Sequence, residues 1–171
     1  MRGLTVSALL ALAGCASDWA VQDSVSELRP VSMATGRLAM RVEPCIDRTG
    51  HASRDLSREA TDALLGKLRA AGDFDLRDDG RYVLSCDISA FVEGSAFQRW
   101  LLPGWGATSS LVAVMVRDSK TGETVAIVRG TATVAAGGLY TVDADRIILA
   151  SALDDVVRQL RELAAGAAPG K

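Results

Sequence analysis

The chain has 171 residues, enough for one domain of ordinary size with its own core. Nineteen Lys and Arg against 21 Asp and Glu leave a net charge of −2. That balance lacks the basic footprint nucleic-acid binding requires and excludes nucleic acid as a partner. Beyond the first fourteen residues, no uninterrupted apolar run reaches the roughly 20 residues a membrane-spanning helix needs.

Residues 1–14 read as a leader. Arg2 supplies positive charge, and Leu4 opens a short apolar run that ends in small residues. Ala11-Leu12-Ala13 has the pattern of an ordinary secretory cleavage site. Leu12-Ala13-Gly14-Cys15 resembles the bacterial lipobox and fits better. The resemblance implies that the Cys15 thiol is joined to diacylglycerol, that the leader is cut before it, and that the new amine is acylated. Two or more acyl chains anchor a protein stably where one does not. Asp18 stands one place too late for the strongest inner-membrane retention signal. The implied address is therefore the periplasmic face of the outer membrane in a Gram-negative bacterium, with the membrane a partner through lipidated Cys15. Loss of Arg2 takes the net charge to −3. Residues 15–36 form the lipidated cysteine and a polar tether, in which Trp19, Val21, Leu28 and Val31 are available for packing.

Residues 37–165 make up the periplasmic domain. Leu38, Met40 and Val42 alternate as a first strand that Pro44 ends for want of an amide donor. A loop with Asp47, Thr49, Gly50 and His51 follows. Ser53 or Asp55 caps a helix reaching about Ala71, with Leu56, Ala60, Leu64 and Leu68 on one face and Gly72 as its stop. Residues 74–76 form a short edge strand, and Asp78-Asp79-Gly80 a turn. Residues 81–92 alternate again, Leu84, Cys86, Ile88 and Ala90 inward against Ser85, Asp87 and Ser89. Residues 111–117 are apolar on both faces and read as a central strand. The turn Asp118-Ser119-Lys120-Thr121-Gly122 joins them to an antiparallel partner over 123–134. A Gly-Gly loop then leads to a final helix over 143–165, buried through Leu149, Leu153, Val156, Leu160 and Leu163, with Asp154–Arg158 and Arg158–Glu162 as exposed pairs. Residues 166–171 are a flexible tail. The fold class expected is α+β, a mostly antiparallel sheet of about four to five strands with two helices packed on one face.

The segments "ALLGKLRAAGDF" (63–74), 82–91 and above all "LVAVMVRDSKTGETVA" (111–126) resemble a bacterial lipoprotein family of unknown function. In that family a helix ending in Ala-Gly-x-Phe precedes the sheet, and a Gly-rich loop leads to a strand closing in Asp-x-x-Thr-Gly-[Glu/Lys]. The likeness covers most of residues 37–163. Its motifs are structural and imply fold, not activity. The topology is also similar to that of outer-membrane secretion-ring lipoproteins, such as the curli and Pel export lipoproteins, with no functional residue carried over.

Lipidation of Cys15 leaves Cys45 and Cys86, an even pair in an oxidising compartment. Two outcomes stand: a disulfide between them, or two free thiols with Cys86 packed as a small core residue. His51 is the sole histidine. Ser53, Asp47 and Asp55 are near it in sequence, which is not the geometry of a triad. The blander reading is a solvated loop histidine. Cys45, Cys86 and His51 lack zinc-ligand spacing, and the glycines around Trp105 form no phosphate loop. No metal, cofactor or catalytic residue is assigned. Asp78-Asp79 and Asp154-Asp155 read as turn and helix-surface pairs.

What remains is residues 93–110, "EGSAFQRWLLPGWGATSS", which place Phe97, Trp100, Leu101, Leu102 and Trp105 between two strands. One reading folds them over the open face of the sheet to complete the core. The other makes them a contact surface for protein, a second copy or membrane, which suits aromatic rings with a polar handle. The functional expectation is a non-enzymatic assembly or accessory component of an envelope complex, with a homo-oligomer or an envelope protein as partner. A small-ligand-binding module or a hydrolase near His51 is the alternative.

Overall fold

A computed structural model describes residues 37–101, 106–134 and 144–165. The leader, Cys15, the tether over 15–36, Leu102, Trp105, the Gly-Gly loop and the tail over 166–171 lie outside the described residues.

In chain order the elements are β1 (Leu38–Val42), β2 (Ile46–Asp47), α1 (Leu56–Ala71), β3 (Phe74–Leu76), β4 (Tyr82–Val92), α2 (Ala96–Leu101), β5 (Thr108–Asp118), β6 (Thr124–Val134) and α3 (Ala144–Ala164). The sheet runs β3-β1-β4-β5-β6, with β2 paired to β4 beyond the end of β1. It is thus a mixed sheet of six strands, which corrects the expected mostly antiparallel sheet of four to five. β1 lies parallel to both β3 and β4, and β2 is parallel to β4. Only β4–β5 and β5–β6 are antiparallel. The reason is the crossover. α1 carries the chain back to the end of the sheet where β1 began, so the strand that follows must run parallel. β3 and β4 then flank β1 on its two sides, and the chain crosses β1 at Gly80. A Cβ there would lie 2.5 Å from the Met40 carbonyl carbon.

β1 and β2 are two pieces of one path broken at Pro44. From Val42 to Ile46 the chain advances four residues while β4 advances three, from Leu84 to Asp87. The extra residue falls where proline cannot donate to the ladder. Just past the break Cys45 is bonded to Cys86 of β4, with their Cα atoms 4.5 Å apart and both residues buried. The Cys45 amide also donates to Thr61 Oγ1 at 2.8 Å, which fastens the break to α1.

The core lies between one face of the sheet and the two long helices. Leu56, Ala60, Leu64 and Leu68 of α1 are fully buried, as their spacing requires. Asp55 caps α1 by accepting from the Arg58 amide at 3.0 Å, and Gly72 ends it in the left-handed conformation at φ 76°. α3 buries Leu149, Leu153, Val156, Leu160 and Leu163. Its ion pairs match expectation in part. The expected Arg158–Glu162 pair forms, Asp155 joins it on Arg158, and Asp154 pairs with Lys67 of α1. Asp155 is buried rather than on the surface, and it also accepts from Gln159.

β4 changes phase along its length. Leu84, Cys86 and Ile88 point inward as expected, but the ladder to β5 slips between Ile88 and Ala90. The slip turns Phe91 into the core and leaves Ala90 half-buried. Among the described residues, neither long helix packs on the opposite face of the sheet. There Ser85 Oγ donates to Glu43 Oε2 at 2.6 Å, and Arg117 Nη2 donates to both Glu43 and Ser85.

α3 comes closest to the sheet at Gly130 of β6, where a Cβ would stand 1.9 Å from the Ala152 carbonyl oxygen. Gly130→Ala forces two backbones apart. A destabilisation of about 3 kcal/mol is expected, at the upper end of overpacking because no side chain can yield; urea titration of the purified domain checks it. The disulfide closes a sequence separation of 41 residues. Replacing both cysteines by alanine should lower unfolding free energy by about 3–4 kcal/mol, measured the same way.

Candidate functional site

The one histidine sits where the chain passes the far end of β4. β2 runs along β4 as far as Ile88, and the Arg48 amide still donates to the Ile88 carbonyl at 3.0 Å. Beyond that point no described strand flanks this side of β4. Side chains of the connection into α1 take over. His51 packs edge-on to Phe91, with centroids 5.4 Å apart, and the Arg54 guanidinium stacks over the same ring at 5.2 Å. His51 Nε2 faces Glu93 Oε1 at 3.4 Å, and Nδ1 lies 3.3 Å from Ser53 Oγ. With Nδ1 accepting from Ser53, the proton on Nε2 is directed at Glu93. Arg54 makes a two-pronged pair with Glu59 in the first turn of α1 and reaches Glu93 at 4.0 Å.

His51 is therefore no solvated loop residue: its side chain is only 19% exposed. Of its sequence neighbours, Ser53 does meet the ring. Asp55 caps α1, and Asp47 turns back on its own loop, accepting from the Thr49 amide at 2.7 Å and the Thr49 hydroxyl at 2.6 Å. That hydroxyl first, then the Thr49 amide and the nearby His51, hold the Asp47 carboxyl below the usual carboxylate range against the upward push of partial burial. The acid on the ring is Glu93, from the end of β4. Nothing in the local sequence signals that contact, since strand pairing brings the two together.

A Ser53–His51–Glu93 chain has the residue types of a hydrolytic relay. Its geometry is that of a clasp. Both contacts exceed the 2.6–3.2 Å or so at which a base engages a hydroxyl, and Ser53 is exposed on a bend. Among the described residues no group of His, Cys, Asp and Glu is placed to hold a metal ion, and no helix is long and apolar enough to cross a membrane.

Directly after Glu93 the chain enters α2. Residues 93–110 are thus not one loop: α2 occupies their middle, and β5 already begins at Thr108. Phe97 and Leu101 stand four apart on α2 and are 61% and 57% exposed. Neither folds onto the core. Trp100 lies on α2, and Leu102 and Trp105 fall outside the described residues. Val92, at the end of β4, and Ile147, in the first turn of α3, are also exposed.

The opposite end of the domain, where β1 starts and α1 and α3 finish, is charged. A cavity of about 500 Å³ there is lined by Arg37, Asp73, Arg158, Arg161 and Glu162. Arg37 Nε donates to the Gly72 carbonyl at 2.8 Å, Arg161 pairs with Asp73, and Arg158 with Asp155 and Glu162. The guanidiniums offset the carboxylates and the negative ends of two helices.

No curated protein matches the chain in sequence. Several solved structures share its fold. The PelC dodecamer from Paraburkholderia phytofirmans is 21% identical over 77% of this chain and 98% of that one, with a TM-score of 0.53. A Xanthomonas campestris protein of family DUF330 is 16% identical over 81% and 91%, with a TM-score of 0.51. A lipoprotein from Neisseria meningitidis is 8% identical over 73% and 99%, at a TM-score of 0.43, a likeness too loose to carry argument. The model of the family described as Domain of unknown function (DUF4410) matches residues 48–138, from just after β2 to past β6. That is most of the 37–163 span expected from the resemblance, without β1, β2 and α3. It includes the His51 clasp, α2 and the β5–β6 hairpin, and covers more than half of the chain; this protein is a member of the DUF4410 family.

Proposed function

We propose that this protein is a lipid-anchored periplasmic lipoprotein of the outer membrane, a non-enzymatic assembly component that acts by associating with further copies of itself through the α2 end of the domain. The observation that carries the role is the pair Phe97 and Leu101. Two large apolar side chains on one helix face, both more than half exposed, are costly to leave in water and are the usual material of protein contacts. A second copy is favoured as the partner because the fold is shared with a protein solved as a dodecamer, PelC. An envelope protein of another kind is the other outcome of the test. The anchor rests on the lipobox at Leu12-Ala13-Gly14-Cys15. The His51 cluster supports the non-enzymatic reading, since its contacts are explained by holding one segment against another.

Cys15→Ser should abolish labelling by a fatty-acid probe in cells and leave uncleaved precursor on gels; labelling that survives removes the anchor from the proposal.

For the role, the full chain is cross-linked in intact envelopes. Wild type should give a ladder of self-adducts. Phe97→Ser with Leu101→Ser should reduce it several-fold while leaving the melting temperature within about 2 °C, as exposed positions allow. Adducts only to other proteins would replace self-assembly with a partner. An unchanged ladder in the double variant would reject this surface.

A further inference from the structure

The contacts around Glu93 lie at the one point where the chain leaves the sheet for α2. Glu93 is faced from the same side by His51 at 3.4 Å and Arg54 at 4.0 Å. Both of those residues are braced on Phe91, two positions earlier, and Phe91 is buried. Arg54 is in turn tied to α1 through Glu59. Three further contacts continue the path. The Gly94 amide donates to Thr108 Oγ1 at 3.1 Å, and the Gln98 amide donates to Ser95 Oγ at 3.3 Å, which caps α2. Gly106 on the returning chain sits so close that a Cβ would be 2.8 Å from Gln98 Cβ. A helix of six residues is too short to hold itself in water. Its direction must come from its ends, and at the leading end that hold is the clasp.

We infer that His51, Arg54 and Glu93 are positioning residues for α2: they set the angle at which Phe97 and Leu101 are presented, and association through that face depends on them. This rests on the reading of α2 as the contact surface, and the test separates the two. None of the three touches the partner in this account. They act through the chain at residues 93–95.

The experiment uses the mature full chain in detergent, with amide hydrogen exchange and cross-linking read on the same samples. Glu93→Leu should speed exchange over residues 94–101 about three- to fivefold, the size expected from losing half-exposed ionic contacts. Exchange in the middle of β4 and β5 should not change, and the self-adduct yield should fall. His51→Ala should do the same to a smaller degree, and it serves in place of Glu93→Leu if that variant does not accumulate. Glu93→Gln, which can still accept from His51 Nε2, should keep the yield nearer wild type. Unchanged exchange over 94–101 in both breaking variants overturns the inference. So does faster exchange with undiminished adducts, provided the Phe97 and Leu101 substitutions still lower them. If those two substitutions leave adducts untouched while exchange responds to Glu93, the contact surface is wrong and only the mechanical clasp stands.

Discussion

Pro44 breaks the first strand in two, and the Cys45–Cys86 bond repairs the damage. A parallel pair with an extra residue on one side has lost ladder hydrogen bonds and is free to slip. Fixing Cys45 to β4 pins the register on both sides of the break. Because the Cys45 amide is also held by Thr61, the same point orients α1 against the sheet. β1, β2, α1 and β4 thus meet at one residue. Everything downstream takes its position from β4, which pairs with β1 and β2 on one side and with β5 on the other.

The second half of the fold is ordered by close approach instead. α3 lies on β5 and β6 and meets the sheet backbone at Gly130, where only hydrogen stands between Ala152 and the strand. About two turns later Gln159 reaches past the apolar layer and donates to the Arg129 carbonyl at 2.7 Å and to Asp155. These two bonds from the buried Nε2 fix the axial position of the helix, which apolar packing alone leaves adjustable, while Gln159 Oε1 is buried with no hydrogen-bond partner among the described residues. Lys67–Asp154 and Arg161–Asp73 then join α3 to α1 and to the start of β3. These outer pairs are exposed and individually worth little.

The result is a domain with two unlike ends. Charges that neutralise one another gather where β1 begins and the long helices finish. The apolar end lies across the length of the sheet, where β4 hands over to α2. With the proposed anchor at Cys15 preceding β1, such a layout would suit a part that is held at a membrane and makes its contacts through the α2 end.

Much of this was legible in the residues. Leu56, Ala60, Leu64 and Leu68 recur every four positions, and that period has one solution: a helix with one buried face. Asp118 to Gly122 could only be a tight turn, so the β5–β6 hairpin followed. Such features depend on neighbours within one turn or one hairpin, and a sequence records those directly. The direction of β1 against β4, the bulge that brings Phe91 inside, the bonding of Cys45 to Cys86 over two free thiols, and the meeting of His51 with Glu93 were decided elsewhere. Three of these join residues some forty positions apart, and the bulge depends on β5, some twenty residues further on. Alternation says which face a side chain takes within a strand. It does not say which strand lies alongside, or where the ladder slips. Only the closing of the sheet around β4 supplies that, because the pairing is chosen by the burial of the whole core and not by any one segment.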